Sequence, residues 1–199
     1  MNSLNSIYEQ TLSAASVFEK TAEDMVYGEG DGKAKLMLIG EAPGAEETRL
    51  KRPFVGKAGK NLDEFLEVIC QKRCDIYITN VVKFRPFKIS EKGRTSNRPP
   101  KRGEIELMLP FLLKEIEAVA PDVVVTLGNV PLRAVSGQKS ITIGQCHASK
   151  MEAKALSHSF TLFPLYHPAS IIYNRALGEV YRQDLMELKQ FLDGDVTKK

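Results

Sequence analysis

Three polar side chains stand where short apolar runs stop. Glu41 follows Leu36-Met37-Leu38-Ile39-Gly40, Asn80 closes Ile76-Tyr77-Ile78-Thr79, and His167 follows the run from Phe160 to Leu165. The Asn80 amide places a donor beside an acceptor, which suits the edge of an amide-like base; it can also end its strand by bonding local backbone. His167 precedes Pro168 and is biased towards extended backbone. Its imidazole can donate to an anionic oxygen or simply pack against its neighbours. The acidic turn from Gly40 to Glu47 carries Glu41, Glu46 and Glu47, which can hold a metal, orient water, stabilise a cation or remain solvated. Phe54, in Arg52-Pro53-Phe54-Val55-Gly56-Lys57-Ala58-Gly59, can stack on a planar ligand or anchor its loop in the core. Neither Gly-x-x-x-x-Gly-Lys-Ser/Thr nor Gly-x-Gly-x-x-Gly occurs, so phosphate cradling is not the leading chemistry.

The elements that must position these residues follow from periodicity. Residues 3–25 read as a helix with an imperfect stripe of Leu4, Ile7, Leu12, Ala15, Val17 and Phe18. Apolar runs at 35–39, 75–82, 122–127 and 160–165 read as buried strands, and 40–56 as a long loop. Helices are expected at 57–72, 103–119, 131–135 and 177–192, with a kink or break at Pro110. Residues 137–158 read as irregular, with a small hairpin around Ile141-Thr142-Ile143, and the tail from Asp193 as frayed. Strands alternating with helices predict an α/β fold whose parallel sheet is covered on both faces. Ligands in such folds bind outside the carboxyl ends of the strands. Glu41, Asn80, Gly128 and His167 are therefore expected to converge.

Composition sets the outer bounds. A chain of 199 residues is expected to form a single domain, 1–199, with an N-terminal helix at about 3–25 and a core at about 33–192. No apolar stretch is long enough to cross a membrane as a helix, and the start lacks a signal-peptide pattern, so a cytoplasmic protein with no membrane partner is expected. Three cysteines, Cys70, Cys74 and Cys146, argue against a disulfide framework and supply at most half a metal site. The net charge of +3 is modest but uneven. Lys83, Arg85, Lys88, Lys92, Arg94, Arg98, Lys101 and Arg102 are opposed in their segment by Glu91 alone, a distribution that fits a polyanion.

Taken in order, Gly40-Glu41-Ala42-Pro43-Gly44, the stretch from Arg52 to Gly59, Tyr77-Ile78-Thr79-Asn80-Val81-Val82-Lys83 and His167-Pro168-Ala169 resemble the motif series of the uracil-DNA glycosylase superfamily, closest to its family 4. The resemblance runs from about residue 35 to about 192. It implies a three-layer α/β/α sandwich around a central four-stranded parallel sheet. It also implies a DNA glycosylase that hydrolyses the N-glycosidic bond of uracil to start base-excision repair. On that reading Phe54 stacks on a flipped uracil, Asn80 reads its N3–H and O4 edge, and His167 hydrogen-bonds O2. Glu41 and Glu47 orient water or stabilise the sugar cation, and Ala42 shapes the floor under the base. Lys83, Arg85, Arg98 and Lys101 would grip phosphates. Ile171 and Ile172 are candidates for an apolar wedge, or else core residues at a helix start.

The chain departs from the family in one respect. Family 4 enzymes carry four cysteines for an iron–sulfur cluster, whereas here no cysteine precedes Cys70, Phe84 stands at the third ligand position and Met108 at the fourth. No metal and no cofactor are expected, with Phe84, Met108 and N-terminal apolar groups filling the space. The partner expected is uracil-containing DNA, bound by a monomer. The competing readings are a catalytically weak or silent DNA-binding relative, a glycosylase with broader deaminated-base specificity, and a nucleotide or nucleoside enzyme on the same architecture.

Overall fold

The computed structural model describes residues 3–174 and 176–196, apart from the side chains of residues 172, 173, 195 and 196. The N-terminal helix α1 spans Leu4–Ala15 and is capped by Ser3, whose hydroxyl accepts from the Ser6 N–H at 3.3 Å. It stops well short of the expected end: a single 3₁₀ turn, Ser16–Phe18, follows, and Glu19 turns left-handed at φ 56°. The chain then continues through β1 (Glu29–Gly30), β2 (Leu36–Gly40), α2 (Ala45–Leu50), α3 (Lys57–Val68) and β3 (Tyr77–Asn80). A small hairpin of β4 (Phe87–Ile89) and β5 (Thr95–Asn97) precedes α4 (Arg102–Val119). The second half holds β6 (Val123–Leu127), α5 (Asn129–Ser136), α6 (Ile143–Cys146), β7 (Met151–Ala155), β8 (His158–Leu165), α7 (Pro168–Tyr173) and α8 (Leu177–Val196).

The main sheet has the order β1-β3-β2-β6-β8-β7. Its four inner strands are the four read from the sequence, and they run parallel. The expected four-stranded sheet is therefore extended to six, because β1 and β7 add antiparallel edges. The hairpin expected around Ile141–Ile143 is formed instead by β7 and β8, turning at Leu156-Ser157. Ile143 opens α6 and packs into the core.

Side chains alternate across the sheet. Met37, Ile39, Tyr77, Val124 and Leu162 face a cluster that includes Met108, Leu112 and Ile116 of α4. Leu36, Leu38, Ile78, Val125 and Phe163 face Leu62, Phe65 and Leu66 of α3 and Leu185 and Leu188 of α8. Helices on both faces explain why the inner strands are apolar throughout. Pro110 does not break α4. It lies on the exposed side, while Met108, Leu112, Glu115 and Ile116 pack the helix down on either side of it.

Candidate active site

The carboxyl ends of β2, β3, β6 and β8 deliver Gly40, Asn80, Leu127 and Leu165 to one edge of the sheet. A cleft of about 400 Å³ opens there, lined by Ala42, Gly44, Glu47, Phe54, Asn80, Asn97 and His167 among others. Residues distant in sequence meet because parallel strands place all their carboxyl ends on one side.

Asn80 is 3% exposed and lines the cleft. A side-chain amide on a cleft wall offers a ligand a donor beside an acceptor. His167 is the N-cap of α7, and its Nδ1 accepts the Ala169 N–H at 3.1 Å. That bond places the ring proton of the neutral imidazole on Nε2, which becomes a donor. Burial pushes the His167 pKa down from 6.5 to about 4, against an opposing pull from Glu47. The ring lies 6.0 Å from that of Phe54, with 27° between the planes.

Phe54 adopts a left-handed backbone at φ 53°, unusual for a bulky residue. Its surroundings hold it there. The Arg73 guanidinium donates to its carbonyl at 2.6 Å, and a Cβ on Gly59 would lie 2.0 Å from that same oxygen. The glycine of the Lys57-Ala58-Gly59 motif thus lets α3 approach the Phe54 backbone.

Glu47 closes the loop from below. Its Oε1 accepts from the N–H groups of Val55 at 3.0 Å and Gly56 at 2.7 Å, and its Oε2 accepts from Gly44 at 3.1 Å. This clasp caps α2, a helix missing from the expected loop, and ties it to the start of α3. Glu41 is not among the residues lining the cleft. It is half-buried beside Ala42, burial raises its pKa, and among the described residues its carboxylate has no hydrogen-bond partner.

The residues expected to grip DNA are placed unequally. Lys83 is a correction: it is 1% exposed and paired with Glu115 inside the protein, out of reach of any phosphate. Arg98 is largely committed, forming two bonds to Glu104 at 2.6 and 2.8 Å. Arg85 donates to Asn97 Oδ1 at 2.7 Å. Lys101 is exposed at the N-cap of α4, and Lys88, Lys92 and Arg94 are exposed around the β4–β5 hairpin. Ile171 is partly buried against the cluster of α3 and α8, which fits the core alternative. The side chain of Ile172 lies outside the described residues. Sequence reasoning missed Asn97, which lines the cleft from β5. Its one available signal was a polar residue opposite Phe87 in a short hairpin.

The residues at the expected cluster positions do not fit thiolate ligation. Phe84 and Met108 are fully buried in a cluster with Ala15 and Met25, and Phe18 lies 5.8 Å from the Phe84 ring. Cys70 and Cys74 are exposed, and Cys146 lies on α6. Among the described residues no group of three or more His, Cys, Asp or Glu could hold a metal ion.

The chain matches known proteins over most of its length. The family model described as Uracil DNA glycosylase superfamily matches residues 27–189. The chain is 35% identical to the type-4 uracil-DNA glycosylase of Saccharolobus solfataricus, over 87% of this chain and 78% of that one. It is 33% identical to the type-4 enzyme of Archaeoglobus fulgidus, over 94% and 92% respectively. Among solved structures, Pedobacter heparinus SMUG2 matches with a TM-score of 0.51 at 14% identity, over 94% of this chain and 85% of that one, a likeness of fold. Over most of its length, then, the chain belongs to the uracil DNA glycosylase superfamily.

Proposed function

We propose that this chain excises uracil from DNA by hydrolysing its N-glycosidic bond, leaving an abasic site for base-excision repair. The observation that carries the reading is one cleft lined by the Asn80 amide, the Phe54 ring and His167. The type-4 uracil-DNA glycosylases similar to it over most of its length support the same reading.

The chemistry follows from charge. Breaking the bond leaves positive charge on the sugar and negative charge on the departing base. A flipped uracil stacks on Phe54 while Asn80 pairs with N3–H and O4. His167, neutral and carrying its proton on Nε2, donates to O2 as that oxygen becomes anionic. A donor already aimed at developing charge needs no reorganisation, and losing one costs about 10²–10³ in rate. Glu47, on the cleft wall, and Glu41, beside it, are the carboxylates available to the sugar and its water. Ala42 forms part of the floor and sets how broad the accepted base is. The exposed cations around the β4–β5 hairpin hold phosphates, so binding weakens with salt. The chain acts as a single-domain monomer in the cytoplasm and needs neither a metal nor an iron–sulfur cluster.

Uracil-containing oligonucleotides, single-stranded or paired U·G and U·A, test this directly. Alkali-sensitive abasic sites are expected, with strong loss in Asn80→Asp and His167→Ala. No abasic product from any of the three substrates would leave a DNA-binding, catalytically silent relative. Glu41 favours that second reading to the extent that it stands off the cleft.

A further inference from the structure

Lys83 and Glu115 form an ion pair withdrawn from water, 1% and 0% exposed, immediately behind the residue that closes β3. The Lys83 ammonium donates to Glu115 Oε2 at 2.5 Å, to Thr79 Oγ1 at 2.5 Å and to the backbone carbonyl of Asn80 at 2.7 Å. Those bonds use all three ammonium protons. On the other side, the Glu115 carboxylate also accepts from the hydroxyls of Tyr77 at 2.9 Å and Thr79 at 3.2 Å. Tyr8 of α1 bonds the Tyr77 hydroxyl, so three layers of the fold meet on this carboxylate.

Stability alone is a poor reason for such a pair. Withdrawing two charges from water costs several kcal/mol per ion, and apolar residues of similar volume often hold two elements together as well or better. Burial indeed pushes the Lys83 pKa down, with Glu115 opposing it. An apolar pair cannot, however, hold a carbonyl. Asn80 is the last residue of β3 in register with β2, opposite Gly40. The peptide unit that follows it is fixed at both ends. Its N–H, on Val81, donates to the Gly40 carbonyl at 2.9 Å, and its C=O receives the Lys83 ammonium. Holding both ends fixes the backbone from which the Asn80 amide projects into the cleft.

We propose that Lys83, anchored by Glu115, is a positioning residue for Asn80, holding the end of β3 so that the amide meets the base edge in one orientation. The inference rests on the reading of the cleft as a base pocket. It also gives Lys83 a role other than the phosphate contact that its place in a basic run implies.

The test replaces the pair by Lys83→Met with Glu115→Leu, removing both charges and leaving no unpaired ion. The Tyr77 and Thr79 hydroxyls and the Asn80 carbonyl lose these partners, so the variant is expected to melt below the native temperature yet stay folded in the assay, and to lose kcat by about 10²-fold, the scale of a small misplacement. KM for the uracil oligonucleotide should stay unchanged. In an Asn80→Ala background the same replacement should add no further loss. Nitrogen-15 NMR of the Asn80 side-chain amide should show one sharp pair in the native protein and a broadened or doubled pair in the variant. If the double variant does not fold, Glu115→Gln, checked by circular dichroism and assayed well below its melting temperature, is expected to show the same losses. A folded variant with native kcat and a native Asn80 amide signal overturns the proposal, as does an equal further loss in the Asn80→Ala background. A native chain that excises no uracil, but whose Asn80 signal still responds to the replacement, instead counts against the base-pocket reading.

Discussion

Gly40 and Asn80 stand opposite each other at the end of the β2–β3 ladder, and the absence of a side chain on one makes room for that of the other. A Cβ on Gly40 would lie 2.4 Å from Asn80 Oδ1 and 2.5 Å from Phe54 Cζ. Both are the far ends of side chains that can move, so Gly40→Ala should fold with a small loss of stability. Moving them displaces the two groups proposed to contact the base. Excision is expected to fall by about 10²-fold, with a melting temperature within a few degrees of native. Single-turnover excision and calorimetry on the same preparation check this; retained activity would detach Asn80 or Phe54 from the reaction.

Glu47 serves two readings that a single substitution separates. As a clasp, its carboxylate collects the N–H groups of Gly44, Val55 and Gly56, and Glu47→Gln replaces one acceptor oxygen by a donor facing another donor. Leaving such a group unsatisfied costs about 1–3 kcal/mol. The variant should therefore melt lower in denaturant titration and lose activity as the Phe54 loop loosens. If stability is unchanged while excision falls, Glu47 acts through its charge on the substrate and the clasp is secondary.

Phe84 and Met108 make the third prediction. Both are completely buried and pack with Met25 and Ala15 where the family resemblance places cluster ligands. Met108→Ala should destabilise the fold by about 2–5 kcal/mol, the range for emptying a buried site of that size. Iron and acid-labile sulfide in protein purified without oxygen should remain at background. Stoichiometric iron would mean that ligands other than Phe84 and Met108 hold a cluster.

The sequence is most legible where a residue's role is set by its own strand. The inner strands β2, β3, β6 and β8 are continuous apolar runs, and of the polar residues at their ends Asn80 and His167 line the cleft while Glu41 does not. Lys83 was misread for the opposite reason. It sits in a basic run, and only the approach of Glu115, 32 residues away, turns it inward. The hairpin of β7 and β8 hid because β7 is half-exposed or exposed until Ala155 and pairs on one side only. β1, two residues long, is defined by backbone pairing with β3 and has no side-chain pattern to read. Ile171 stays open between wedge and core in the sequence because its neighbours, in α3 and α8, come from either side of it in the chain. Asn97 had no periodic context at all.

His167 supplies a prediction in pH. Burial lowers its folded pKa from 6.5 to about 4, so the folded state holds the imidazole neutral through the range in which an unfolded chain would take up a proton. Between about pH 6.5 and pH 4 the unfolded state binds more protons at this residue, and stability contributed here rises with pH across that window. It is fully present above 6.5 and is lost as pH falls towards 4. For the proposed reaction, the neutral ring would donate through Nε2, because Nδ1 is occupied by the Ala169 N–H. Excision should therefore show no inflection near pH 6.5 from this residue; a fall at a higher pH than about 4 would report another group, such as Glu41, whose pKa burial raises. An NMR titration of the His167 ring, run beside the pH–rate profile, checks both halves. A ring pKa near 6.5, with activity falling below it, would mean that the imidazole is hydrated in the free protein and that the donor must be assembled when the base enters.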